Sequence, residues 1–148
     1  GGKLAESGKI NKIILDQSLE NFYESSISKK KSFDTNDFHI SFVRGLSLKD
    51  GAATLTEFTA EICAKKINNN KVYVCGGGRK NFFLLERIKK KSGCKIESID
   101  NLGIDGDFIE SQAFAYLAIR SYLKLPISFP KTTGCKKPCT GGVLIKNY

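Results

Sequence analysis

Through the first 70 residues apolar positions recur at helical spacing. Between Ser7 and Tyr23, the side chains of Ile10, Ile13, Ile14, Leu19, Phe22 and Tyr23 gather roughly on one face, which predicts a helix. Residues 24–35, rich in Ser and Lys, read as a loop. A second, short helix is expected over Asn36–Leu46, capped by Thr35 or Asn36, with Phe38, Phe42 and Val43 turned inward. Asp50 can then cap a third helix whose Leu55, Phe58, Ile62 and Ile67 make an apolar stripe, ending at the polar Asn68-Asn69-Asn70.

From residue 71 the pattern changes. Short β-prone runs over Lys71–Cys75, Lys95–Ile99 and Val143–Lys146 alternate with helical patterns over Asn81–Lys91 and Asp107–Lys124, a β-α-β-α-β string. Such a string implies an α/β fold with a mainly parallel sheet, whose ligands bind at the carboxyl ends of the strands. The helix over Asp107–Lys124 is apolar on nearly all sides and is therefore expected to be buried. At 148 residues the chain suits a single domain, with a helical part over 1–70 and a βαβαβ core over 71–148.

Composition narrows the function classes. Hydrophobic residues at 41% and charged residues at 26% are ordinary for a globular protein, and no apolar run reaches the roughly 20 residues that span a bilayer. The opening Gly1-Gly2-Lys3-Leu4-Ala5 carries no export signal, so the expected setting is cytoplasmic and away from membranes. A net charge of +9 invites a nucleic-acid reading, but Lys29-Lys30-Lys31 and Lys89-Lys90-Lys91 have no interleaved aromatic residues to stack bases. Lys89 to Lys91 also fall where a helix ends and its dipole favours cations, so a solvated basic face is expected and nucleic acid is not. The five cysteines are odd in number and scattered, which suggests reduced thiols. Cys94, Cys135, Cys139 and His39 lack the spacing of a metal site, and none is expected.

Three stretches carry candidate chemistry. Val72-Tyr73-Val74-Cys75-Gly76-Gly77-Gly78-Arg79-Lys80-Asn81 reads as a strand passing through three glycines into a helix capped by Asn81. Residues without a Cβ admit a phosphate or a flat ring, and helix amides attract anions; the same triplet also serves where only a tight connection is needed. Asp107 and Glu110 have capping-box spacing, and a rigid carboxylate at that helix start could equally accept hydrogen bonds from a sugar hydroxyl. The threonines at 54, 56 and 59 can bond back to carbonyls of the preceding turn. Neither a P-loop nor a dinucleotide fingerprint is present.

Taken in order, ATLTEFTA (53–60), VYVCGGGRKN (72–81), ESIDNLGIDGDFIESQAFAYLAIRSYLKLP (97–126) and TTGCKKPCTGGVLIKNY (132–148) resemble the C-terminal half of the bacterial anhydro-N-acetylmuramic acid kinases. The resemblance implies one lobe of a two-lobed actin/hexokinase/Hsp70-like (ribonuclease H-like) fold, with ATP between the lobes. It implies a family activity that uses ATP and water to open the 1,6-anhydro ring of anhydro-N-acetylmuramic acid and phosphorylate its 6-oxygen, recycling cell wall. On this footing Gly76, Gly77, Gly78 and Asn81 are expected at the nucleotide and Glu110 near the sugar. Mg2+ is expected to be held by the nucleotide and by the N-terminal lobe, a partner outside this chain. The water-activating aspartate belongs to that lobe too, so no catalytic residue is expected here.

Departures accompany the match. The family's Pro-Lys-Ser-Thr-Gly-Arg segment is weakened to Lys30, Lys31, Ser32, Phe33, Asp34 and Thr35, Cys135 stands where alanine is usual, and Gln112 and Tyr116 are unusual in the buried helix. A lobe by itself leaves apolar surface through which two copies could pair as a homodimer. The alternative to a kinase lobe is a non-catalytic remnant, a binding module that keeps weak adenine-nucleotide or protein interaction.

Overall fold

The computed structural model describes residues 1–25, 27, 33 and 35–145, in two compact units, Gly1–Asp107 and Phe108–Tyr148. In the first unit the elements run α1 (Lys3–Glu6), α2 (Lys12–Glu24), α3 (Leu48–Lys66), β1 (Lys71–Val74), α4 (Phe82–Ser92) and β2 (Lys95–Ser98). The second holds α5 (Ile109–Tyr122) and α6 (Pro130–Thr133).

The expected first helix is divided. Gly8 passes so close to the start of α3 that an added Cβ would lie 2.0 Å from the Lys49 carbonyl oxygen. Next to it, the Lys9 amide donates to Asp50 Oδ1 at 2.7 Å and the Asn11 amide to Thr54 Oγ1 at 3.0 Å. These bonds spend on α3 the amides that a continuous helix would need, so α2 starts at Lys12, capped by the Asn11 side chain. The same contact accounts for the cap of α3: Asp50 is engaged with Lys9, and Ser47 Oγ accepts from the Asp50 amide at 3.2 Å instead. Within α3, Thr54 donates to the Asp50 carbonyl at 2.8 Å and Thr59 to that of Leu55 at 2.9 Å, the back-bonding expected of this hydroxyl-rich stretch.

Leu15 and Phe22 of α2 meet Phe58 and Ile62 of α3 in the core, with Phe33, Phe38 and Phe42 packed around them. Phe22 is the hub. Its ring lies 5.7 to 6.0 Å from those of Phe33, Phe38 and Phe58, mostly edge to face, the arrangement ring quadrupoles favour. The short helix expected over Asn36–Leu46 is replaced by two 3-10 turns, Thr35–Asp37 and Ile40–Val43. Eleven residues make a marginal helix, and turning both Phe38 and Phe42 into the core is achieved by two tighter turns joined through an extended His39. Residues 30–32 and 34, where the family segment is weakened, lie outside the described residues.

β1 and β2 pair in parallel, with Lys71 opposite Lys95 and Val74 opposite Ser98, and α4 connects them. This is one β-α-β unit, a small parallel sheet within a mixed α/β chain. The third strand expected over Val143–Lys146 does not form among the described residues: Val143, Leu144 and Ile145 are exposed and pair with no strand, and Lys146 lies outside them. In the second unit, Ser128 and Cys139 make one antiparallel bridge, and Arg120 Nε donates to the Pro126 carbonyl at 2.7 Å. α5, expected to be buried, has no buried residue; Phe114 is 64% and Tyr122 70% exposed. Among the described residues no helix is long and apolar enough to cross a membrane.

One ion-pair cluster joins α3 to α4. The Glu57 side chain, 6% exposed, accepts from Arg87 Nε and Nη2, both at 2.5 Å, and from Lys91 Nζ at 2.6 Å. Lys91 also pairs with Glu61. Burial pushes the Glu57 carboxyl up, but the hydrogen bonds from Arg87 and Lys91 outweigh it and hold the group below its usual range. A carboxyl depressed by folding adds stability above its unfolded pKa of about 4.3, and that stability is lost as pH falls through the folded value. Glu57→Gln should therefore cost about 3 kcal/mol at pH 7, because it leaves Arg87 facing a neutral amide and Lys91 with Glu61 alone. In urea titrations the difference from the parent should shrink below pH 4; an equal difference at pH 3 and pH 7 would contradict this account.

Candidate functional site

At the carboxyl end of β1 the chain enters a conformation that only glycine adopts readily. Gly76 has φ 70 and ψ −174, a region open essentially to residues lacking a Cβ. Gly77–Lys80 then forms a single 3-10 turn, and only afterwards does α4 begin, capped by Asn81 Oδ1 accepting from the Leu84 amide at 3.2 Å. The expected strand-glycine-helix path is thus corrected in one respect. The glycines do not lead straight onto the helix, and one of the amides at the start of α4 is already taken by the Asn81 cap.

Behind the turn stands Arg79, its side chain 9% exposed. The guanidinium Nε donates to Asp100 Oδ2 at 2.8 Å, Nη1 to Asp107 Oδ1 at 2.6 Å and to the Gly76 carbonyl at 3.1 Å, and Nη2 to Asp100 Oδ1 at 3.4 Å. The Gly76 amide donates to the Gly106 carbonyl at 2.9 Å, and the Gly106 amide to Asp100 Oδ1 at 2.9 Å. Gly106 permits this closeness, since a Cβ there would sit 2.6 Å from Arg79 Nε. The ends of both parallel strands are tied into one knot.

Charge holds the knot together. Arg79, with help from the Ser98 hydroxyl and the Gly106 amide, keeps the Asp100 carboxyl far below the usual carboxylate range. Asp107 is held equally low by Arg79 and then by Lys80, whose Nζ lies 2.7 Å from Oδ2. In return Asp107 and Asp100 push the Arg79 guanidinium still higher. With Nε, Nη1 and Nη2 all donating, Arg79 serves as a strut behind the turn.

Asp107 therefore does not cap α5. Its N-cap is Phe108, without a side-chain capping bond, because charge-assisted bonds to Arg79 and Lys80 are stronger than a single bond to a helix amide. Glu110 stands exposed in the first turn of α5, in the second unit. Sequence reasoning puts Asp100 at the carboxyl end of a strand but missed its pairing with Arg79. The available signal was an arginine just past one strand and an aspartate just past the next, opposite charges that parallel pairing brings together. The five cysteines are free, and among the described residues no group of three His, Cys, Asp or Glu side chains could hold a metal ion.

The front of the turn is open. A Cβ built on Gly77 or Gly78 meets no atom within 4 Å among the described residues, and neither glycine has a positive φ. Gly76 is glycine because its backbone demands it, whereas no described residue demands glycine at the next two positions.

The model of the anhydro-N-acetylmuramic acid kinase family matches residues 1–147. Curated relatives of that name include one from Pelagibacter ubique, 52% identical over 99% of this chain and 42% of its own length. The relative from Zymomonas mobilis is 38% identical over 95% of this chain and 40% of its own length, and that from Rhodospirillum rubrum 40% identical over 95% and 39%. The chain thus spans about two-fifths of these relatives.

The three glycines should respond differently to alanine. Gly76→Ala should lower stability by about 2 kcal/mol through backbone strain, while Gly77→Ala and Gly78→Ala should each stay within about 0.5 kcal/mol of the parent. Chemical denaturation of the three variants measures this, and equal losses at all three positions would refute the distinction.

Proposed function

This chain belongs to the anhydro-N-acetylmuramic acid kinase family, and from that premise we propose that it is the C-terminal lobe of an actin/hexokinase/Hsp70-like sugar kinase, binding adenine nucleotide at the glycine turn. The observation that carries the reading is the open front of Gly77 and Gly78, two glycines unexplained by the chain's own packing or backbone. Glycines of that kind suit a ligand that must approach the backbone closely. Gly76, Gly77 and Gly78 would hold the nucleotide. Asn81 would keep the start of α4 in place beneath it.

The turn suits the nucleoside better than the phosphates. Arg79 is committed to carboxylates and Asn81 caps α4, so the groups nearest the glycines offer a flat, close surface with no free guanidinium. Glu110 would accept hydrogen bonds from sugar hydroxyls, as its exposed place at the start of α5 allows. The family reaction, ATP-dependent opening of the 1,6-anhydro ring with phosphorylation of O6 in cytoplasmic cell-wall recycling, would need the remaining family length. In-line phosphoryl transfer requires phosphates, Mg2+ and activated water fixed together, and this chain supplies no base for that water.

Calorimetry with ADP tests the reading. The chain should bind ADP, and Gly77→Val should weaken binding at least about tenfold, since branched carbons would fill the open face while leaving the fold intact. Heat unchanged by that substitution would move the nucleotide elsewhere. By itself the chain should release no ADP from ATP in the presence of anhydro-N-acetylmuramic acid. Release should begin when the N-terminal part of a relative is added as a separate chain. Turnover by this chain alone would overturn the division of roles.

A further inference from the structure

We propose that Arg79 is a positioning residue for the ligand at the glycine turn, setting affinity from behind by holding Gly76 against the loop of residues 99–107. The inference rests on the nucleotide reading of that turn. Gly76 is bracketed on both polar groups: its carbonyl accepts from Arg79 Nη1 at 3.1 Å, and its amide donates to the carbonyl of Gly106, whose missing Cβ would meet the same guanidinium. The residue so fixed occupies a backbone region that only glycine enters readily, and the two glycines after it have their Cβ positions open. Without the bracket, Gly76 has many conformations of similar energy, and the open face of Gly77 and Gly78 would have to be ordered by the ligand itself.

Geometry separates this role from a general structural one. The knot includes none of Leu15, Phe22, Phe58 and Ile62, which make the core of this unit. Its carboxylate acceptors lie 21 and 28 positions from Arg79 and its carbonyl acceptor, Gly76, three, so it constrains one loop against another and not a helix or strand internally. A forked guanidinium spreads its donors over three nitrogens and serves Asp100, Asp107 and the Gly76 carbonyl together, while an ammonium gathers its three donors on one nitrogen. Lysine at this position keeps the charge and loses the geometry.

The test uses the whole chain and the variants Arg79→Lys and Asp107→Asn, with two readouts. In ligand-free protein, amide hydrogen exchange over residues 76–80 should rise about tenfold in both variants while the melting temperature stays within a few degrees of the parent. ADP affinity measured by calorimetry should fall about tenfold in the same variants. Unchanged exchange in Arg79→Lys would overturn the clamp, and unchanged ADP affinity with raised exchange would overturn its role in binding. A parent chain that takes up no ADP, with exchange still raised in the two variants, would refute the nucleotide reading and leave the clamp standing as a device of the fold.

Discussion

The buried Glu57 carboxylate is the constraint from which the rest of the first unit follows. It lies on α3 and accepts from Arg87 and Lys91, which are one helical turn apart on α4, while Glu61, one turn along α3, engages Lys91 as well. Two pairs at i and i+4 spacing thus face each other, so rotating or sliding either helix would strand a buried charge. Replacing such a cluster with apolar groups can be neutral for stability, but an apolar contact would tolerate other registers. Everything attached to α4 inherits the position this sets. At one end are Asn81 and the glycine turn; at the other, Gly93 ends the helix in a left-handed conformation before β2.

The knot around Arg79 acts at the other end of the same β-α-β unit. The Glu57 cluster fixes α4 against the helical part, and Arg79 fixes the turn between β1 and α4 against the loop that follows β2. The first joins α3 to α4; the second joins two strand ends. Together they make the turn rigid without covering it, which is how a protein presents glycine backbone to a ligand without ordering it afresh on binding.

Much of this was legible in the sequence, and the failures have physical causes. α4, β1 and β2 were readable because each is set by local signals: Asn81 as cap, Lys89 to Lys91 where the helix ends, and short runs of β-prone residues. The start of α3 was misread because Ser47 and Asp50 are both good caps, and the choice is made by the Lys9 amide, 41 residues away. Asp107 was misread for the same reason, with Arg79 drawing it from a capping position 28 residues distant. The glycine turn itself was visible, but the distinction between a glycine required by its φ and two required by nothing internal exists only in three dimensions. Parallel pairing converts remote positions into neighbours, and no window along the chain reports it.

The misreading of α5 has a different origin. An all-apolar pattern states what surface a helix needs to bury, and burial was inferred because one chain was assumed to supply the cover. Yet Phe114, Tyr116, Ile119 and Tyr122 are exposed in a chain that spans about two-fifths of its relatives' length. A patch of that kind has an energetic demand that a covering surface meets. The glycine turn makes no such demand, since its supports, Arg79, Asp100, Gly106 and Asp107, all lie within the first unit. On the proposed reading the two ligands therefore differ in what they require. The nucleotide meets a site organised before any partner arrives, whereas Glu110 stands on the element whose apolar faces are still open, so the sugar side depends on whatever covers α5.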